Sequence, residues 1–209
     1  MRDYLLFAVL PYLGGLVFVG GSVLSIVRGR FDRRASPTTP RGRFDVAWRA
    51  AFAAIAIAHV FTLMFPGAAL RWDREFSRLM LFEGTRLAAG ALAAAGAVAV
   101  LARRLHPGHE SPRRVADVVA ATLLVTAAAS GLGVAILYRW ASAWSAVTLA
   151  PYLTSLARLD PSTELVTGLP VLVKLHVVSA IAVFMVFPFT SPARAIGSRM
   201  RLQELDAKS

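Results

Sequence analysis

Apolar residues in this chain come in unbroken runs, not on the mixed period of a soluble helix or strand. Tyr4 to Val27 carries no charge, Ala50 to Leu70 none beyond His59, and Val118 to Tyr138 and Val177 to Ala193 none at all. Leu87 to Ala102 is shorter but extends back to Leu79 across Glu83 and Arg86. About 20 apolar residues cross a ~30 Å hydrocarbon core as a helix. Hydrocarbon offers no partner to free backbone groups, so such runs must be helical. The pattern predicts an all-α integral membrane protein, a bundle of five transmembrane helices at roughly 4–27, 47–69, 80–102, 116–138 and 170–191. Residues 1–209 form one membrane domain, because no segment between spans is long enough for a soluble one. Tyr4–Val27 is too long for a signal-peptide core and has no small-residue cleavage site after it, so it reads as a retained helix.

Charge orients the bundle. The net charge is +11, from 23 Lys and Arg against 12 Asp and Glu. Six arginines fall in 28–43, four in 103–114, and four basic residues (Arg194, Arg199, Arg201 and Lys208) in the tail. These segments alternate with less basic ones, as the positive-inside rule requires if they are cytoplasmic. The N-terminus, 71–78 and 139–169 are then outside, and the C-terminus is in the cytoplasm. That distribution points to a multi-pass protein of the cell (cytoplasmic or inner) membrane with lipid as its surroundings, and away from nucleic acid.

The outer segment 139–169 holds Trp140, Trp144, Tyr152 and Leu149, Leu153 and Leu156. It suits an amphipathic helix at the interface, or equally a connecting helix with aromatic-belt residues.

The absence of cysteine excludes disulfides, thiolate metal sites and covalently attached c-type haem on this chain. Of four histidines, His106 and His109 lie in an arginine-flanked loop and read as solvated. His59 and His176 lie inside apolar spans, where an ionisable side chain is costly. His59 is seven residues before Pro66, and His176 is six after Pro170. At 1.5 Å per residue both sit ~10 Å from the outer boundary, on antiparallel helices. Two histidines at one depth suit axial ligation of a haem iron. A proton relay and two separately hydrogen-bonded core histidines are the other uses. Haem propionates need cations, and Lys174, Arg71, Arg78, Arg86 and Arg139 all fall near outer helix ends, where some would simply snorkel. Glu83 and Arg86 are spaced to pair on one helix face; Glu83 is also placed to take protons from a quinol. Small residues at 88–96 and 127–133 allow helices, or a flat macrocycle, to approach closely.

These residues carry a resemblance. Leu10-Pro11-Tyr12-Leu13-Gly14-Gly15 with Val17-Phe18 and Gly21-Ser22, Arg33-Arg34-Ala35-Ser36, Ala58-His59-Val60-Phe61 with Pro66, and Ala116-Asp117 run in order along the chain. Most specific are Lys174-Leu175-His176, then Phe184 and Phe187-Pro188-Phe189-Thr190. The sequence resembles the gamma (cytochrome b) subunit of membrane-bound respiratory nitrate reductases over nearly its whole length. The resemblance implies a five-helix fold with non-covalent b-type haems between the second and fifth helices, quinol near the outer haem, and an iron–sulfur partner subunit. The family's outer ligand pair maps onto His59 and His176. Its inner pair falls on Arg49 and Arg194, which do not ligate iron. The resemblance, so modified, implies one haem b, near the outer face. The family's lysine near the quinol has no clean match in Arg74-Glu75-Phe76-Ser77-Arg78; Arg78 is the substitute, beside Glu83.

Three functions follow. The first is an electron-transfer subunit exchanging electrons with quinone or quinol and with an iron–sulfur or cytochrome c partner, its terminal catalytic site on another subunit. The second is a structural anchor without a redox role. The third is a transporter with a histidine relay, which lacks the inverted repeat of many transporters.

Overall fold

A computed structural model describes residues 2–29, 42–106, 114–138, 141–191 and 193. Among the described residues there is no strand. Five helices are long and apolar enough to cross a membrane: Leu5–Val27, Arg43–Met64, Phe76–Leu105, Val115–Leu137 and Val171–Phe189. The bundle expected from the charge-free runs is therefore present. Large apolar side chains such as Leu16, Ile57, Val60, Met64 and Phe184 are exposed on its outside, the face that lipid covers in such a protein.

Helix α1 spans Leu10–Gly29 and is led in by a π-helical turn, Leu5–Val9. Tyr152 explains that widened turn: its hydroxyl donates to the Phe7 carbonyl at 2.6 Å, and its ring meets Phe7 edge-on. Helix α2, Arg43–Met64, stops earlier than the sequence pattern suggested. Pro66 disfavours helical geometry in the residue before it. Phe65 accordingly leaves the helix at φ −126°, ψ 55°, and Pro66 starts a new short helix, α3, Pro66–Trp72. Helix α4, Phe76–Leu105, is the longest. Helix α5 covers Arg114–Leu137. Helix α6, Ala141–Ala157, and the turn α7, Glu164–Thr167, make up the connection that follows. Helix α8, Val171–Val186, begins after Pro170 and closes in a 3-10 turn, Phe187–Phe189, at Pro188.

The spans pack in the order α1, α8, α5, α4, α2. Helices α2 and α8 make few contacts with each other; they face each other across a cleft backed by α4 and α5. Helix α6 rests on α2 and α3. It is not a ribbon lying loosely at the interface, because Ala146, Ala150, Tyr152 and Leu156 are buried. Tyr152 and Leu156 join Phe7 and Val166 in the main apolar cluster. Tyr12 fastens the same end by donating to the Leu156 carbonyl at 2.9 Å.

Candidate functional site

The two intramembrane histidines meet across the cleft. His59 on α2 lies six positions before Phe65, and His176 on α8 five after Val171, so both are ~8–9 Å from the same end. Their ring centres are 6.0 Å apart, with the planes inclined by 42°. Each ring is turned by a backbone carbonyl: His59 Nδ1 is 2.8 Å from Ile55 O, and His176 Nδ1 is 2.8 Å from Ala127 O. A carbonyl only accepts, so Nδ1 carries the proton and Nε2 keeps its lone pair. Neither Nε2 has a hydrogen-bond partner among the described residues.

The cradle for His176 is built on α5. A Cβ at Gly131 would stand 2.7 Å from His176 Cε1 and 2.9 Å from its Nδ1. Only a glycine there lets the imidazole lie against α5 and reach Ala127 O. Ser130 Oγ shares that turn, donating to Thr126 O at 2.6 Å and Ala127 O at 3.1 Å. The small-residue stretch at 127–133 marked this surface in the sequence, but not that it receives a histidine.

Of the four described cations expected near the histidines, Arg86 is the one whose charge acts on both rings. It packs over Phe82 at 5.4 Å, and its Nη1 lies 4.0 Å from Glu83 Oε1. Lys174 is engaged elsewhere, with Asp3 Oδ2 at 2.8 Å and Thr167 O at 2.7 Å. Arg78 pairs with Glu75 at 3.1 Å and stacks on Trp72. Arg71 is exposed on α3, and Arg139 lies outside the described residues. His106 ends α4, and His109 lies outside the described residues.

The opposite end of the cleft is built differently. Arg49 stacks on Trp48 at 5.8 Å. Trp48 lies so close to α4 that a Cβ at Gly96 would come within 2.5–2.6 Å of it. Its Nε1 donates to Asp45 Oδ1 at 3.2 Å, and Arg103 Nη1 meets the same oxygen at 2.9 Å. Arg104 pairs with Asp117 at 3.3 Å, while Ser191 donates to Asp117 through N at 2.8 Å and Oγ at 2.7 Å. Arg194 lies outside the described residues.

The profile of the nitrate reductase gamma subunit matches residues 3–192. The chain belongs to that family. No curated protein matches it significantly. As a nitrate reductase gamma subunit family member with five candidate spans, it is a multi-pass membrane protein of an electron-transfer class that works with partner subunits. Members of this family are generally b-type cytochromes. The residues at the cleft suit such a group. A metal–imidazole bond is ~2 Å and the ring centre ~1 Å further in, so imidazoles on opposite sides of one metal have centres about 6 Å apart. The observed separation is 6.0 Å, and the lone pairs left by the two Nδ1–carbonyl bonds are the donors iron takes.

Proposed function

We propose that the chain is the membrane-embedded b-type cytochrome subunit of a respiratory complex, passing electrons between quinol or quinone and a partner redox subunit. One non-covalent haem b is held between His59 and His176. The observation that carries this is the histidine pair, 6.0 Å apart with both Nδ1 atoms bound to backbone carbonyls. Haem, when bound, supplies a one-electron couple at the iron. The chain's own residues do the remainder. Ile55 O and Ala127 O fix tautomer and ring orientation, and raise the basicity of each Nε2. Gly131 lets His176 approach α5, and the surrounding spans exclude water. Glu83, 15% exposed beside Arg86, is the carboxylate placed to take a proton when a quinol is oxidised. Arg78 contributes at the rim, beyond its pairing with Glu75.

The orientation follows charge, with α3, α6 and α7 outside and the arginine-rich loops in the cytoplasm of an inner-membrane protein. An iron–sulfur or cytochrome c subunit is the partner, and the terminal reaction belongs to another subunit. The test is a reduced-minus-oxidised spectrum of the purified chain, with His59→Ala and His176→Ala beside it. A low-spin bis-histidine b-type signal is expected in the parent and in neither variant. A normal bis-histidine signal in either variant would remove that histidine from the site.

A further inference from the structure

Arg86 is a largely buried cation with one unmet donor. Its side chain is 13% exposed, yet it stands in a membrane-spanning helix. Nη1 has no hydrogen-bond partner among the described residues. The nearest carboxylate oxygen, Glu83 Oε1, is at 4.0 Å, beyond hydrogen-bond length. Glu83 and Asp73 are the acidic groups whose charge reaches Arg86, and both histidines are within reach of its own. A guanidinium offers five donors in a rigid fork suited to two carboxylate oxygens. An unmet donor on a buried charge is destabilising until an acceptor arrives. Among the other described candidates, Lys174 and Arg78 already have partners and Arg71 is exposed.

We infer that Arg86 binds a carboxylate of the group seated between His59 and His176, so that one haem propionate turns inward against α4 instead of outward to the membrane surface. This rests on the haem assignment above. Arg86 is then a positioning residue: it selects the ligand's carboxylate and fixes which edge of the macrocycle faces α4. Its positive charge beside the iron also favours the reduced form, so it holds the midpoint potential up. Glu83 stays beside Arg86 as a weaker, longer-range partner.

The full chain, purified in detergent and stripped of haem, is titrated with haemin and with haemin dimethyl ester, in which both propionates are blocked. A charge-assisted hydrogen bond lost to esterification corresponds to about tenfold to hundredfold in affinity, so the parent should prefer haemin by that factor. Arg86→Gln should lose the preference and bind both alike, with a lower midpoint potential. Arg86→Lys, which keeps the charge but not the fork, should retain part of the preference and most of the potential; it serves also if the Gln variant does not fold. A Gln or Lys variant with the parent's full preference and potential overturns the inference, and places Arg86 with Glu83 alone. A parent that gives no bis-histidine spectrum with either ligand sinks the haem assignment itself, a result distinct from the first.

Discussion

Gly131→Ala tests the site with one methyl group. The added Cβ would stand 2.7 Å from His176 Cε1 and 2.9 Å from Nδ1, where ordinary contact starts at 3.4 Å. The ring must therefore retreat by about 0.7 Å, because the helix backbone carrying Gly131 cannot move as easily. Its 2.8 Å bond to Ala127 O would stretch to about 3.5 Å, past hydrogen-bond length. The local cost is a hydrogen bond of ~1 kcal/mol plus overpacking of ~1–3 kcal/mol. Replacing a mid-helix glycine by alanine returns ~1 kcal/mol of helix propensity, so the fold should survive with a small net loss. Ligation should not survive as well, since a ~2 Å metal–imidazole bond cannot absorb a displacement of that size. The expected result is a folded protein whose low-spin signal is lost or turned high-spin, read by absorption and electron paramagnetic resonance beside a thermal melt. Gly15→Ala is the control, since its Cβ would meet nothing within 4 Å. A Gly131→Ala protein with an unchanged low-spin spectrum and haem content would show that His176 does not hold the iron from its place against α5.

Other outcomes follow from the same structure. The haem-to-protein ratio should be near one with a single redox step, because the resemblance puts the family's inner ligand pair at Arg49 and Arg194; a ratio near two would refute this. Arg49→His with Arg194→His should not add a second haem while Trp48 fills the space against Gly96, and a second bis-histidine signal in that variant would show the space to be open. A reporter fused after Ser209 should be active only in the cytoplasm, and periplasmic activity would reverse the orientation. Burial, and then the nearby Tyr12, push the Tyr152 hydroxyl up to about 12. The unfolded chain releases this proton near pH 10 and the folded chain does not, so this group's stabilisation is present below pH 10 and lost as pH rises towards 12. Tyr152→Phe should abolish that part of the alkaline decline in melting temperature, and an identical decline in parent and variant would count against it.

The spans were legible because a run without charge has one outcome in hydrocarbon. The early end of α2 was legible too, in Pro66, although the apolar run continues to Leu70 and masks it. The meeting of His59 and His176 followed from counting residues back from Pro66 and forward from Pro170, since depth in a membrane is a matter of rise per residue. Rotation about the helix axis was the missing coordinate. Lys174 precedes His176 by two residues, ~200° around the helix, and so reaches Asp3 and Thr167 on another side. That separation was available in the sequence. The choice of Arg86 was not, because it depends on how α4 is turned against α2 and α5. The carbonyls of Ile55 and Ala127 leave no trace in residue identity, and the place of Gly131 against an imidazole is a property of two helices together.

The polar groups at the two ends of the bundle are finished differently, which separates a fastening from a binding site. At the Trp48 end, the buried carboxylates are satisfied within the protein. Asp45 takes Trp48 and Arg103, and Asp117 takes Arg104 and both donors of Ser191. Removing one partner of the largely buried Arg104–Asp117 pair costs about 3–5 kcal/mol, and less where Arg103 is half exposed; these contacts tie α2 to α4, and α4 and α5 to the end of α8. At the histidine end, the protein satisfies only one nitrogen of each ring and leaves Arg86 Nη1 without an acceptor. Unmet polar atoms in a membrane interior are expensive; Ser25 Oγ on α1 is one that stands apart, whereas the two imidazoles face each other from helices that make few contacts. On the proposed function, the two lone pairs and the guanidinium would receive the iron and a carboxylate of one haem, while the satisfied groups at the other end hold the bundle together.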